Sequence, residues 1–126
     1  MKIEERGPRA TPDKADLMRL VFHALKDTLG VSDEELQGRY SCFTAADFFA
    51  PGGCETSLLI EITLFAGRSL DAKRRLYMQL AHDISRQRGI DPAHVMVLLR
   101  EEPFDNWGMR GGHAATDLTF DYAIAI

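Results

Sequence analysis

An internal repeat is the feature that most constrains how this chain can fold. Two stretches with helical periodicity each end at a glycine, Gly30 and Gly89, and the apolar residues before both glycines have the same spacing. Counting back from the glycines gives these matching pairs: Leu17 with Leu76, Val21 with Leu80, His23 with His82, and Leu25 with Ile84. A glycine is typical of the left-handed position that follows a helix. The sequence therefore predicts two copies of one helical unit, which indicates a duplication.

Each predicted helix also begins at a capping signal. Thr11-Pro12-Asp13 offers an N-cap residue, a proline at the first helical position and an acid in the first turn. Ser69-Leu70-Asp71 offers an N-cap serine and the same acid before the second helix. We therefore expect helices from this threonine to Gly30 and from this serine to Gly89.

Predicted strands lie on both sides of each helix. Ser57–Phe65 alternates between its two faces, and His94–Glu101 is apolar on both faces. Met1–Glu5 and Arg39–Ala45 are weaker strand candidates. Two helices can cover only one side of the resulting sheet, so a second subunit is expected to cover the other side of the doubly apolar strand.

The end of the chain alternates again between apolar and polar or small residues. The apolar positions are Leu118, Phe120, Tyr122, Ile124 and Ile126. This pattern predicts a terminal strand with one apolar face, which could extend the sheet edge of a neighbouring chain.

These elements predict an α+β fold with two β-α-β repeats and a C-terminal strand extension. We expect residues 1–126 to form one domain, with repeat one at about 1–50 and repeat two at about 56–112. The segment Pro51-Gly52-Gly53 then forms a loop between the halves. The same element order fits ferredoxin-like modules, including RNA-binding ones, but these need exposed aromatic residues on central strands and a basic face.

The charge balance disfavours nucleic acid and membrane partners. The chain has 15 basic and 19 acidic residues, a formal net charge of −4, and no apolar run long enough to span a membrane. Cys42 and Cys54 lack the spacing of a metal site and are expected to be reduced thiols of a cytoplasmic protein.

Three segments of the second half resemble the tautomerase superfamily. Ile62–Ser69 (ITLFAGRS) is similar to its strand–Gly-Arg-Ser/Thr–helix junction, and Gly89–Pro92 and Asp105–Gly108 continue the match. The resemblance is nearest to the malonate semialdehyde decarboxylase and cis-3-chloroacrylic acid dehalogenase-like branch. It implies a mixed sheet with two antiparallel helices on one face. It also implies a homotrimer with active sites at subunit boundaries and a cofactor-independent reaction of a small carboxylate, such as a 2-keto or enol acid.

The resemblance also implies which residues form the site. The family uses an N-terminal proline as its acid or base and arginines to bind the substrate carboxylate. This chain begins Met1-Lys2, so the α-amine of Met1 stands in the place of the proline, and we expect it to be mobile on a frayed end. The predicted catalytic residues are Met1 and Arg68, the predicted substrate-binding residues are Arg39, Trp107 and Arg68, and no metal is expected.

Two departures bear on the reaction. The decarboxylase branch carries an aspartate where Gly38 precedes Arg39-Tyr40, and an arginine where this chain has Ala66. Weak or altered catalysis is one expectation, and a non-catalytic trimer that keeps an anion pocket is the alternative. His23 and His82 share one repeat position, which favours structural roles for both.

Overall fold

The structure, a computed structural model, describes residues 1–8 and 10–126. Its main sheet has four strands in the order β2-β1-β3-β4, and their bounds are β1 Lys2–Arg6, β2 Arg39–Phe43, β3 Ser57–Phe65 and β4 Val95–Glu102. β1 pairs in parallel with β2, β3 pairs in parallel with β4, and the two central strands β1 and β3 are antiparallel. The predicted mixed sheet, with one parallel pair from each repeat, is confirmed.

The two helices are α1, Lys14–Leu29, and α2, Leu70–Arg88. The aligned apolar positions of both helices are buried, namely Leu17, Val21, Leu25, Leu76, Leu80 and Ile84. Gly30 and Gly89 follow the helices in the left-handed conformation, with φ of 67° and 66°. Arg88 at the end of α2 lies 4.0 Å from Asp13 at the start of α1, as expected for antiparallel helices.

The start of α2 agrees with the prediction and the start of α1 does not. The hydroxyl of Ser69 accepts the N–H of Ala72, so the serine caps α2 as expected. The cap of α1 is Asp13, and the hydroxyl of Thr11 donates to the carboxylate of Asp13. The predicted cap at Thr11 is therefore wrong, because its side chain holds the turn before the helix.

The two helices cover one face of the sheet. Ile3, Leu58 and Ile60 point towards the helices and are buried in the core with the helical stripes. On the opposite face of the edge strand β4, Met96 is 53% exposed and Leu98 is 43% exposed. In a single chain, this apolar surface stays exposed, as expected for a strand that is apolar on both faces and has helices on only one side.

The chain after β4 forms short elements. β5, Gly108–Met109, pairs with β6, His113–Ala114, in a small hairpin. Residues 118–126, here called the C-terminal segment, form no strand, so the predicted strand extension is wrong for this chain. The segment still alternates between half-buried and exposed side chains up to residue 125. Its side chains pack on the end of β3 and the start of α2 instead of its backbone pairing with a sheet edge.

Within the described part of the chain, neither helix is both long enough and apolar enough to cross a bilayer.

Candidate active site

Arg68 lies at the junction between β3 and α2. β3 ends at Phe65, and Gly67 adopts a φ of 129°, which turns the chain so that Ser69 can cap the helix. The side chain of Arg68 returns towards the strand, and its Nη1 donates to the carbonyl oxygen of Phe65 at 2.7 Å. The residue is only 6% exposed, and burial lowers the pKa of its guanidinium.

The hydrogen-bonding capacity of this guanidinium is not used up. The buried Nε of Arg68 has no hydrogen-bond partner within residues 1–8 and 10–126. An unpaired buried N–H is costly, so a ligand that accepts its hydrogen would be stabilised there.

The α-amino group of Met1 lies beside the start of β2. The amine donates to the carbonyl oxygen of Gln37, and the carbonyl of Met1 accepts the N–H of Arg39 at 3.1 Å. The chain end is therefore held against the segment that leads into β2, and it adjoins the central strand β1, which is paired on both sides. Burial, and then the positive charge of Arg39, lower the pKa of the amine from its ordinary 8.0. A larger fraction of the amine is neutral near pH 7 as a result.

Trp107 follows a short 3-10 turn, Phe104–Asn106, after β4. Its ring packs edge-on against Phe65 with 5.0 Å between ring centroids, and its indole N–H lies 3.4 Å from the carbonyl oxygen of Glu102. The ring of Phe104 packs on Phe65 in the same manner. This aromatic cluster fixes the indole as a rigid wall.

One cavity of about 910 Å³ brings these groups together. All four predicted site residues, Met1, Arg39, Arg68 and Trp107, line it, although 39 and 68 belong to different repeats. Apolar residues of α1 and β3 complete its walls, including Leu25, Leu29, Ile62 and Leu64. A mostly preformed hollow with a few convergent polar groups is typical of a small-molecule site.

The cavity is richer in cations than the chain as a whole. Its cationic side chains are Lys2, Arg39, Arg68, Arg100 and Arg110, and its acidic ones are Glu34, Glu35 and Glu61. The whole chain carries −4, so positive charge is concentrated at this place. Such a field attracts anions.

Two of the three carboxylates are engaged by neighbouring cations. Glu61 lies 3.0 Å from Lys2 and 3.5 Å from Arg100, and Glu35 lies 2.9 Å from Arg110. The hydrogen bond from Lys2 is the main reason that the pKa of Glu61 is lowered, which makes it a poor proton acceptor.

Arg39 and Arg68 form no ion pair with any residue that the structure describes. They are therefore the arginines of the cavity that are available to an anion. A guanidinium keeps its charge and can bind both oxygens of a carboxylate.

Several residues of the cavity were not predicted from the sequence. Tyr122 belongs to the C-terminal segment, and Arg110 sits in the β5–β6 turn with a positive φ of 51°. The alternating pattern that contains Tyr122 was visible, but it does not reveal which surface the segment contacts. Glu101 is not among the described residues that line the cavity, and it forms an ion pair with Lys73 at 2.8 Å.

The histidines lie elsewhere. His23 pairs with Asp27 and His82 with Asp83, and both histidine side chains are largely exposed. Neither histidine is among the described residues that line the cavity. No cluster of metal-binding side chains occurs within the two described ranges.

Comparisons with known proteins agree with this architecture. Residues 41–110 match the family model described as tautomerase enzyme. A solved structure of Pt0534 inactivated by 2-oxo-3-pentynoate superimposes with a TM-score of 0.83 at 19% identity, over 94% of this chain and 98% of that one. A wild-type fused 4-OT, described as a symmetric trimer, gives 0.80 at 25% identity over 92% and 97% of the two chains. A malonate semialdehyde decarboxylase inhibited by 3-bromopropiolate gives 0.77 at 16% identity over 91% of each.

The duplicated β-α-β sheet and its two helices define a protein of the tautomerase fold. The family match spans more than half of the sequence, and the chain belongs to the tautomerase enzyme family.

Proposed function

We propose that this chain binds a small carboxylate of the 2-keto or enol acid class in the cavity, without a cofactor, and that its catalysis of proton transfer is weak or altered. One observation carries the proposal. The Met1 amine, Arg39, Arg68 and Trp107 line a single cavity, and its two arginines without an ion pair among the described residues can receive the carboxylate. Structural neighbours inactivated by 2-oxo-3-pentynoate or inhibited by 3-bromopropiolate support a small carboxylate as the ligand.

The reaction that suits this arrangement is the conversion of an enol acid into its 2-keto form. Arg68 and Arg39 bind the carboxylate and stabilise negative charge on the enolate oxygen. The neutral amine of Met1 takes the proton from the enol hydroxyl and, as the ammonium ion, returns it to carbon 3. The lowered pKa of this amine favours the neutral form that must accept the proton.

We expect weak catalysis because the sequence has Met1 in the place where the resemblance implies a proline. The base here is a primary amine, and one of its hydrogens is already donated to the carbonyl oxygen of Gln37. A well-positioned acid or base is worth about 10²–10⁴-fold in rate, and we expect this chain to recover only part of that.

The second candidate is a non-catalytic protein that keeps the anion pocket. The same observation favours it, because Arg39 and Arg68 can hold a carboxylate whether or not the amine transfers a proton. The two candidates predict equal binding of pyruvate and different turnover of phenylenolpyruvate.

The test replaces the base. We would produce Met1→Pro behind a removable initiator methionine, confirm the mature end by mass spectrometry, and follow ketonisation of phenylenolpyruvate by ultraviolet absorbance. We expect the unmodified chain to be slow and the variant to gain about tenfold or more. Adding Arg68→Ala should remove the gain, whereas Arg74→Ala, an exposed arginine paired with Asp71, should leave it. An unmodified chain that is already as fast as the variant would show that another group transfers the proton.

A further inference from the structure

The C-terminal segment contacts the β3–α2 junction at every second residue. The ring of Phe120 packs 5.0 Å from that of Phe65. A Cβ placed on Gly67 would lie 3.6 Å from Cγ2 of Ile124. The hydroxyl of Ser69 donates to the carbonyl oxygen of Ile126 at 2.8 Å. The alternating pattern that predicted a strand therefore reflects contacts of alternate residues of this segment with the junction.

Tyr122 is the member of this series that lines the cavity. Burial raises the pKa of its phenol, so the hydroxyl is protonated at neutral pH, and the nearby Arg68 opposes the shift only in part. In turn, Tyr122 counters part of the lowering that burial imposes on the pKa of Arg68. The phenol and the guanidinium line the same cavity, and each affects the pKa of the other.

The guanidinium has a hydrogen that no nearby group accepts, because the buried Nε–H of Arg68 has no partner in the part of the chain that the structure describes. The phenol of Tyr122 lines the same cavity and can donate its hydrogen as well. The ring of Tyr122 is fixed by its contact with Phe120, whose centroid lies 6.0 Å away. A fixed phenol beside a buried guanidinium supplies two adjacent donors, which suits the two oxygens of one carboxylate.

We propose that Tyr122 is a ligand-positioning residue, which donates its phenol hydrogen to one oxygen of the carboxylate while Arg68 binds the other. The inference rests on the proposed ligand class. It goes further because the family match ends at residue 110 and does not reach the C-terminal segment. It also gives that segment a role, as the wall that sets how the carboxylate is oriented.

The test removes one oxygen atom. Tyr122→Phe keeps the ring that packs on Phe120 and deletes only the hydroxyl. Tyr77→Phe is the matched control, since Tyr77 lies on α2 and is not among the described residues that line the cavity. Binding of pyruvate, malonate and sulfate would be followed by the fluorescence of Trp107, the single tryptophan of the chain, which lines the same cavity. Arg68→Lys and the double variant complete a mutant cycle.

We expect Tyr122→Phe to weaken pyruvate binding about tenfold, as for loss of a hydrogen bond to a charged group, while Tyr77→Phe leaves it unchanged. The cycle should show non-additive losses, and the melting temperature of the unliganded variant should stay at that of the parent. Additive losses, or a lower melting temperature with unchanged affinity, would overturn the inference and leave Tyr122 as a packing residue. If binding depends on Arg68 and not on Tyr122, only this inference fails. If none of the three anions binds the parent protein, the proposed function fails with it.

Discussion

Arg68 and Arg74 lie only six positions apart and have contrasting surroundings. Arg68 is 6% exposed and has an unsatisfied Nε, whereas Arg74 is exposed and paired with Asp71. The difference follows from position, because the first precedes the helix at a turn and the second lies on its solvated face. Composition alone cannot separate them, and it was the resemblance at the Gly-Arg-Ser/Thr junction that singled out Arg68.

Replacing these two arginines tests that contrast. Arg68→Ala should weaken binding of pyruvate or malonate by about 1.5–3 kcal/mol, because a charge-assisted hydrogen bond is lost from a buried place. Arg74→Ala should leave the affinity unchanged. Titration calorimetry measures both, and equal affinity of the Arg68 variant and the parent would make this arginine purely structural.

The Met1 amine should titrate below its ordinary 8.0, since burial and the charge of Arg39 both favour the neutral form. Arg39→Gln removes one of these causes, so the pKa of the amine should rise towards 8.0 and the neutral form should appear at higher pH. The measurement is the pH dependence of acetylation of the α-amine by acetic anhydride, followed by peptide mass spectrometry. Lys14→Gln, on the first turn of α1 and outside the described cavity lining, is the control and should not move the midpoint. If the midpoint does not move in the Arg39 variant, the charge of Arg39 does not lower the pKa of the amine.

The residues of the site were predictable to the extent that short motifs mark them. Arg39, Arg68 and Trp107 stand in recognisable segments, and the structure gathers them with Met1 in one cavity. Tyr122 could not be found in this way, because it reaches Arg68 through a contact between distant parts of the chain. The contacts of Met1 with the start of β2 were missed as well, since they depend on β1 being central, which sequence periodicity does not show.

At the level of elements, the two repeats end their helices in the same manner. Gly30 and Gly89 have φ of 67° and 66°, and a Cβ at either would meet no atom within 4 Å. The cost of a side chain there is therefore conformational rather than steric. β3 has the bounds that its alternating pattern predicted. The same kind of pattern predicted a strand at residues 118–126, where none forms. Alternation indicates that one face of a segment is buried, but it does not indicate that the backbone pairs with another strand.

Substitution of these glycines tests the equivalence of the repeats. Gly30→Ala and Gly89→Ala should each lower the free energy of unfolding by about 1–2 kcal/mol, because alanine is strained in the left-handed region. Gly108→Ala is the control, since its backbone is outside that region and its Cβ would also meet no atom within 4 Å. Urea denaturation gives all three values. A large difference between the two helix-end variants would contradict equivalent ends.

For the whole molecule, the uncovered face of the sheet is the feature that calls for a partner. Met96 and Leu98 expose apolar side chains on an edge strand, next to the charged row of Lys2, Glu61 and Arg100. Light scattering coupled to size exclusion should give about three chain masses, in line with the homotrimer expected from the sequence.

The same experiment on variants locates the interface. Leu98→Glu should reduce the mass to that of a monomer, because it buries a charge against an apolar partner surface. Met78→Glu, on the helical side and 76% exposed, should remain a trimer. A stable monomer of the parent protein at micromolar concentration would reject the assembly.

The central position of β1 has a consequence for how the cavity comes into being. Lys2 begins the strand that β2 and β3 enclose, and Met1 precedes it directly, so the candidate base is attached to the middle of the sheet. Local opening of a chain end is a common low-energy fluctuation, but from Lys2 onwards it would require breaking the pairs with both neighbouring strands. We therefore expect the position of the amine, and with it the shape of the cavity, to depend on formation of the whole sheet.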